Sequence, residues 1–497
     1  MTQAPADLGG MIFRNALAAT AGTWGVKLLN FAFIIYVVRA LGEVGLGRYA
    51  TIVAFVGLFS VFVELGMAQF VERTIAQDRE RAVGLIWNLA ALRLLLAGVG
   101  VVVITGLAAA LGYPGYLVAG ILLYTLTFFL AALLVPLQTL TTAHEQFHLN
   151  SLIVLSGQLV TIACAFILLQ LGIGFLALVF AGLIAMPIQI GLALWLVRRA
   201  GYGRIARRIE PRSWKPLLLA SVPFGLTSLA LTFNFNVDTV ILGWFRDEAT
   251  VGWYNASYRL VFNAVGIVGG FLLAMTPSLA RVHYSDPERV MRWVATSVRW
   301  LLLFAFPVGV GLALLAPRVV VLLYGSDFAP AATAFAILAL DVPLLLLLSF
   351  FGNVTAAVEQ ERPAARIFLG CAGANLLLNL AFIPLFGITA AAMVTVVTDL
   401  FCVAAFIVLL RSTLPVGALA SDALRMAIVT AGMALVLLLG AGLPLAFVIL
   451  LGAVTYCGFA VWWRLLDLRV LAGVVRRGTR RQTPEARTLS QGAEAEG

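Results

Sequence analysis

Eight ionisable side chains interrupt the long apolar runs of this sequence, and their types suggest two kinds of chemistry. Basic side chains form charge-assisted hydrogen bonds with phosphate oxygens, whereas a buried carboxyl group can carry a proton. In a membrane interior each charge costs about 2.5–3.5 kcal/mol, so each needs a partner, a hydrated cavity or a function. The basic residues are Lys27, Arg93, Arg259 and Arg299, and the acidic residues are Glu64, Asp238, Asp341 and Asp399.

Three cations near the start of the chain have no obvious acidic partner in the sequence. They are Lys27, Arg39 and Arg48, and Glu43 can serve only one of the last two. Unpaired cations suit an anionic substrate, so we predict that these three bind phosphate. The alternative is that Arg39 and Arg48 extend to the outer lipid headgroups.

Polar residues form stripes on three predicted helices. The first stripe covers an arc of about 80° on its helix. Such a stripe must face water or the interior of a helix bundle, so we predict a hydrated central cavity. Polar contacts between helices are the alternative. The stripes consist of Thr20, Thr23, Lys27 and Asn30 in the first helix, Thr227, Asn234 and Asp238 in the seventh, and Asn255, Tyr258, Arg259 and Asn263 in the eighth.

Depth along the predicted helices indicates two ion pairs. Asp238 and Arg259 lie roughly 9 and 12 Å from the outer ends of their helices, and Glu64 and Arg93 both lie near the inner side. A structural salt bridge is an alternative to a functional role for both pairs. An acid among Asp238, Asp341, Asp399 and Glu64 is a candidate for ion coupling, and the sequence does not select one.

The composition limits the class of protein. The chain has 497 residues, of which 62% are hydrophobic and 11% charged, whereas soluble domains have roughly 45–50% and about 25%. A soluble enzyme, a disordered protein and a nucleic-acid-binding domain are therefore excluded. The sequence contains no P-loop and only three histidines, so we expect no cofactor, no metal site and no enzymatic activity.

Apolar runs predict an all-α integral membrane protein with about 14 transmembrane helices. Period-two alternation is absent, which favours helices over a barrel. The predicted spans are 11–38, 47–71, 84–111, 116–140, 150–171, 175–197, 217–244, 251–280, 292–316, 329–358, 364–386, 387–411, 424–441 and 444–466.

The distribution of Lys and Arg predicts the orientation. With a cytoplasmic N-terminus, 25 of the 33 Lys and Arg residues fall on the cytoplasmic side and 4 on the outer side. This bias follows the positive-inside rule and places both termini in the cytoplasm. A basic stretch at 198–216 separates the first six spans from the other eight.

The two halves of the chain echo each other. Shifted by 205 residues, Asn30–Tyr49 aligns with Phe235–Tyr254 without a gap, so that Gly47 meets Gly252 and Tyr49 meets Tyr254. The aligned helices run in the same direction. We therefore predict a parallel duplication, with two pseudo-symmetric lobes around a central site.

Two segments resemble the Wzx-type polysaccharide (lipid-linked oligosaccharide) flippases of the MOP superfamily. The first is RALGEVGLGRYATIVAFVGLFSVFVELGMAQFVER at 39–73, which is similar to their second-helix region. The second runs from Pro223 to Leu260, with Asp238 ahead of Leu242-Gly243 and VGWYNASYRL, and is similar to their seventh and eighth helices. The span number and the polar linker extend the resemblance across nearly the whole chain.

The resemblance implies two six-helix lobes around a central cavity plus two extra C-terminal helices. It assigns the cavity cations to Lys27, Arg48 and Arg259, and the acid of the seventh helix to Asp238. Lipid II is a less expected passenger because the first two helices carry few arginines. The implied organisation is an N-lobe at 1–197, a basic cytoplasmic linker at 198–216, a C-lobe at 217–411, extra helices at 412–472 and a disordered cytoplasmic tail at 473–497.

The predicted function is to flip a lipid-diphosphate-linked oligosaccharide from the cytoplasmic to the periplasmic leaflet of a bacterial inner membrane by alternating access, for cell-surface polysaccharide biosynthesis. The predicted site comprises Lys27, Arg39, Arg48 and Arg259, lined by Thr23, Asn30, Asn234 and Asn255. Expected partners are this substrate, membrane lipids and the polysaccharide polymerase machinery, without nucleic acid. The alternatives are a multidrug and toxin extruder of the same superfamily, which needs an acidic cavity, and a membrane glycan polymerase or ligase, which needs a large outer loop.

Overall fold

The structure is a computed structural model of the chain. It describes the backbone of residues 8–78, 82–201, 209–282, 287–358, 360–411, 414–463 and 465. Side chains are described over the same ranges except at 8–26, 82–83, 223, 226–227, 230–231, 267–282, 287–290, 356–357 and 361. The predicted tail at 473–497 lies outside the described residues, as do 202–208 of the predicted linker.

The described residues form helices and no strands, as their apolar runs predict, because a helix satisfies its backbone polar groups within one segment. Short 3₁₀ turns occur at Pro211–Ser213 and Ser326–Phe328. The helices are α1 Leu8–Glu64, α2 Met67–Gln77, α3 Ala82–Ala110, α4 Gly115–Thr125, α5 Thr127–Ala143, α6 Phe147–Gln170, α7 Leu176–Arg199, α8 Trp214–Phe245, α9 Glu248–Val282, α10 Pro287–Leu314, α11 Ala316–Tyr324, α12 Ala331–Ala339, α13 Val342–Ala357, α14 Glu361–Phe386, α15 Ile388–Leu409, α16 Val416–Leu439 and α17 Leu445–Trp462.

Helix α1 contains two of the predicted spans. Its 57 residues are interrupted at Gly42, which has φ 65° and ψ −179°. A continuous helix of that length would measure about 85 Å, against a bilayer core of about 30 Å. The second part of α1 ends at Glu64, because Leu65 and Gly66 both have positive φ. The predicted boundary of the second span at residue 71 is therefore wrong, and the residues after Gly66 form the separate helix α2.

Helix α2 is amphipathic. Its buried residues Met67, Val71 and Ile75 recur every four positions and face one side. They join a core cluster with Leu217 near the start of α8. This packing explains why the first residues of α2, which were predicted to end the second span, instead begin a short helix that packs against α8.

By length and composition, ten helices among the described residues are able to cross a membrane. The number rises to eleven if α12 and α13, which are bent by 46° at their junction, count as one broken span. The protein is therefore a multi-pass membrane protein of helices, and the number fourteen stays a prediction.

The chain divides into two compact units, the first being Met1–Phe33 with Ser421–Gly497. Within this unit α16 and α17 pack closely. Gly432 of α16 faces the ring of Phe459 on α17, and Gly452 of α17 faces Leu437 on α16. Exposed apolar side chains such as Leu439 and Trp462 cover much of the remaining surface, as a lipid-facing helix pair requires.

The second unit, Ile34–Ala420, contains the helices that position the candidate site. Its first half is held together by a core in which Ile52 and Phe55 of α1 pack with Ile104 of α3 and Ile121 of α4. Val240 of α8 belongs to the same core. Helices from both halves of the sequence therefore share one apolar cluster.

Candidate functional site

Two buried carboxyl groups lie together in the second half of the chain. Asp341 occupies the break between α12 and α13, and Asp399 lies in the middle of α15; they are 1% and 2% exposed. The two carboxyl groups are close enough to interact with each other. Two adjacent carboxylates repel each other in an apolar interior, which favours a state in which the pair carries one proton. The pair is therefore a candidate for holding a proton in the apolar interior.

Amide groups adjoin the carboxyl pair. Asn234 of α8 donates to Asp399, with Nδ2 and Oδ1 separated by 3.4 Å. On α14, Asn379 donates to Asn375 at 2.8 Å, and Asn375 donates to Thr398 of α15 at 3.0 Å. Asn375 and Asn379 are almost completely buried. These two asparagines are not among the predicted site residues. Their four-residue spacing inside an apolar run nevertheless places them on one face of the helix, where their side chains can hydrogen-bond.

Asp238 does not form the predicted ion pair with Arg259. It lies 1% exposed on α8, where its carboxylate accepts hydrogen bonds from the Tyr254 hydroxyl and from the Thr239 backbone N–H at 2.7 Å. The pairing was predicted from depth along two helices, and depth does not determine the direction in which each side chain points. Asp238 is thus held by neutral donors.

Arg259 lies half-buried on α9. Its Nε donates weakly to Asn255 Oδ1 at 3.4 Å, and its guanidinium lies 5.8 Å from the ring centroid of Tyr49. Asn263, one turn further along, donates to the Arg259 backbone carbonyl at 2.7 Å. The predicted cavity residues Asn255 and Arg259 therefore lie side by side, whereas Asn234 belongs to the carboxyl cluster.

Arg48 has an acidic partner, contrary to the prediction that it is unpaired. Its Nε lies 2.7 Å from Glu248 Oε2 at the start of α9. Tyr116 of α4 donates to the other oxygen of Glu248 at 2.5 Å, and the Arg48 guanidinium stacks 4.8 Å from the Tyr116 ring centroid. The side chains of Arg48 and Glu248 are 36% and 25% exposed. A pair separated by 200 residues was not accessible to local sequence reasoning.

The two aligned glycines of the internal echo touch each other. A Cβ atom on Gly47 would overlap the backbone carbonyl of Glu248, and a Cβ atom on Gly252 would overlap that of Glu43. Trp253 Nε1 also donates to Glu43 Oε2 at 3.2 Å. Glu43 and Glu248, like Gly47 and Gly252, are related by the 205-residue shift, so the contact is reciprocal, as at a two-fold interface.

Arg39 also has partners in the second half of the chain. Its Nε and Nη2 donate to the carbonyl oxygens of Leu323 and Leu322, each at 2.7 Å. These carbonyls belong to the last turn of α11, where a cation complements the helix dipole. Arg39 is therefore a helix-capping residue in this structure.

The predicted pairing of Glu64 with Arg93 is present. Arg93 Nη2 lies 3.7 Å from Glu64 Oε1, with Arg93 buried in α3 and Glu64 half-exposed at the end of α1. Glu64 lies well apart in sequence and surroundings from the carboxyl pair. Its position favours a structural salt bridge.

Lys27 and Asn30 belong to the first unit, where both are half-buried on α1. The side chain of Thr23 lies outside the described residues. The role of these three residues therefore stays a prediction.

Comparison with known proteins identifies relatives of the chain. The family described as "Polysaccharide biosynthesis protein" matches residues 12–283. A relative from Haloferax volcanii, the probable low-salt glycan biosynthesis flippase Agl15, is 22% identical over 383 residues, which covers 74% of this chain and 76% of the relative.

Solved structures show the same fold. The lipid II flippase MurJ in an inward closed conformation has a TM-score of 0.77 at 15% identity, covering 90% of this chain and 99% of that chain. An inward-facing multidrug resistance MATE family transporter of the MOP superfamily has a TM-score of 0.61 at 15% identity, covering 80% and 96%. A MOP superfamily transporter from Pyrococcus furiosus has a TM-score of 0.54 at 17% identity, covering 80% and 93%. These likenesses confirm the predicted superfamily fold.

Proposed function

The chain belongs to the polysaccharide biosynthesis protein family, and from that premise we propose that it flips a lipid-diphosphate-linked oligosaccharide across its membrane by alternating access. The coarser conclusion, a flippase of the MOP superfamily and thus a transporter, follows from the family and from the Haloferax relative. The family match over residues 12–283 is the observation that carries the proposal. We assign the direction as cytoplasm to periplasm, in a bacterial inner membrane with both termini cytoplasmic.

Arg259 and Lys27 are the proposed contacts for the diphosphate. Arg259 is half-buried, has a long hydrogen bond to Asn255, and has the Tyr49 side chain on one side. A guanidinium in that setting keeps donors available for phosphate oxygens at little cost. Lys27, on α1 of the first unit, stays a proposed contact on the sequence argument alone. The prenyl tail stays in the lipid, while membrane lipids and the polymerase machinery are the proposed partners.

Arg39 and Arg48 are less suited to the substrate than the sequence suggested. Arg39 is bound to two carbonyl oxygens, and Arg48 is bound to Glu248. A phosphate group reaching either residue must first displace those acceptors. Within the proposed function we therefore assign diphosphate binding to Arg259 and Lys27.

The pair Asp341 and Asp399 is the proposed ion-coupling element. Its two carboxyl groups are buried next to the break between α12 and α13, where sharing one proton relieves their mutual repulsion. Broken helices that expose backbone groups are typical of coupling sites in transporters. Release of that proton leaves two buried negative charges side by side, which favours a rearrangement of the surrounding helices.

Complementation of a flippase-null strain tests the substrate contacts. We expect Arg259→Ala and Lys27→Ala each to lower surface polysaccharide by about tenfold, because a charge-assisted hydrogen bond to phosphate contributes roughly 1.5–3 kcal/mol. Arg259→Lys, which keeps the charge, should retain most of the rescue, and Arg318→Ala removes an outer arginine as a matched control. Wild-type rescue by both alanine variants, at equal membrane expression, would overturn the assignment.

A further inference from the structure

We propose that the contact between the two echoed segments is an outer clasp, which holds the outer side of the transporter shut and breaks when that side opens. The outer clasp consists of Glu43, Gly47 and Arg48 on α1 with Glu248, Gly252 and Trp253 on α9. This inference rests on the proposed alternating-access function and adds to it the residues that close one side. It also gives Arg48 a role other than substrate binding.

The side-chain contacts with Glu43 and Glu248 join the first half of the chain to the second. Arg48 and Tyr116, both from the first half, donate to the two carboxylate oxygens of Glu248. In the opposite direction, Trp253 donates to Glu43, and it also donates to the backbone carbonyl of Asp327 within the second half. Separation of the halves on this side must therefore break the contacts with Glu43 and Glu248, whereas stacking of Arg48 on Tyr116 lies within the first half and can persist.

The reciprocity of the contact suits a reversible closure. The glycines touch backbone to backbone, with each one facing the carbonyl of the glutamate from the opposite segment. Because the contact is self-complementary, the two halves can meet in one register only, and they can part without unpacking either half. The predicted topology places the part of α1 just after Gly42 and the start of α9 on the outer side.

The polar contacts are suited to breaking as well as forming. Arg48 and Glu248 are partly open to water, with side-chain exposures of 36% and 25%. Exposed ion pairs contribute little individually, so water can replace them when the halves separate. Arg39, bound to the last turn of α11, adds a second weak connection between the halves. Several individually weak contacts surround the close approach of the two glycines. Together they stabilise the closed outer side, and each of them can be replaced by water when that side opens.

Thr51 provides a reporter for opening. It lies one turn beyond Gly47, is 3% exposed and faces Gly243 of α8. The experiment uses the full chain with Cys164, Cys371, Cys402 and Cys457 replaced by alanine and with Thr51→Cys. Intact cells are treated with a membrane-impermeant maleimide, and the labelling rate measures how often the outer side is open.

We expect Arg48→Glu to raise the labelling rate by about tenfold and Glu248→Gln, which is milder and preserves shape, to raise it by about threefold. The double variant Arg48→Glu with Glu248→Arg should return the rate to within about twofold of the parent, because the pair is restored in reverse. Arg318→Glu, an outer charge reversal outside the clasp, should leave the rate unchanged. Equal membrane insertion and a single elution peak in detergent are required of each variant.

Unchanged labelling in both Arg48→Glu and Glu248→Gln, or failure of the reversed pair to restore slow labelling, would overturn the outer clasp. The measurement needs no glycan, so its outcome is separate from that of the proposed function. If the variants show the expected labelling rates but the parent protein does not rescue the flippase-null strain, the outer clasp is supported and the proposed substrate is contradicted. Full rescue with unchanged labelling contradicts the clasp alone.

Discussion

Alanine at Gly252 or at Gly47 is expected to lower transport by about tenfold or more. The added Cβ overlaps a backbone carbonyl of the opposite helix, which cannot rotate away as a side chain can. Overpacking of this kind costs roughly 1–3 kcal/mol, enough to shift a two-state equilibrium by about 5- to 150-fold. The outer side then stays open, and the substrate-accepting state is rarely reached. Rescue of a flippase-null strain and the labelling rate of Thr51→Cys measure the two consequences.

Gly243→Ala is the matched control for this prediction. Gly243 lies on α8 and also faces α1, but its Cβ would lie 3.5 Å from the Thr51 side chain, which is ordinary van der Waals contact. We expect this variant to transport normally and to be slightly more stable, since alanine is the better helix former. Normal transport by Gly252→Ala and Gly47→Ala would show that the close crossing is not required.

Loss of proton coupling is the expected result of Asp341→Asn or Asp399→Asn. An amide has nearly the shape of the carboxyl group but cannot take up or release the proton. A gradient of one pH unit supplies about 1.4 kcal/mol per proton, or tenfold in accumulation. In reconstituted vesicles the parent protein should show that dependence on an imposed pH gradient, and the two variants should lose it.

Asp238→Asn is the control for this prediction. It shows whether the loss of response to the pH gradient is specific to Asp341 and Asp399 or follows from removing any buried carboxyl group. Asp238 accepts hydrogen bonds from Tyr254 and Thr239, so neutral donors, and not a second carboxyl group, contact its carboxylate in the part of the chain that the structure describes. We therefore expect Asp238→Asn to keep most of the response to the pH gradient. Transport that follows a sodium gradient and ignores pH, or loss of the response only in Asp238→Asn, would contradict proton storage by Asp341 and Asp399.

The fold class and the equivalence of the two aligned segments follow from the sequence for clear physical reasons. Apolar runs need internally satisfied backbone, which leaves helices as the solution, and the 205-residue echo aligns Gly47 with Gly252. The sequence does not reveal that these two glycines touch, because an internal repeat gives equivalence and not proximity. The break after Glu64 was also missed, since Leu65 has no conformational preference that marks a positive φ.

Side-chain partners were predicted less well than helices. Glu64 and Arg93 were paired correctly from depth alone, whereas the same reasoning paired Asp238 with Arg259 wrongly. Depth fixes one coordinate of a side chain on a helix, and the direction around the helix depends on packing. The partner of Arg48 was missed because Glu248 begins a helix rather than lying inside a span.

The direct test of the proposed function is transbilayer movement in reconstituted vesicles. A fluorescent oligosaccharide linked to a short prenyl diphosphate is compared with the same glycan on a neutral lipid, and impermeant quenching reports the leaflet of each. We predict that the purified protein moves the diphosphate-linked form and that Arg259→Ala slows this movement. Equal movement of both lipids, or movement of neither together with export of organic cations, would contradict a flippase for lipid-diphosphate-linked glycans.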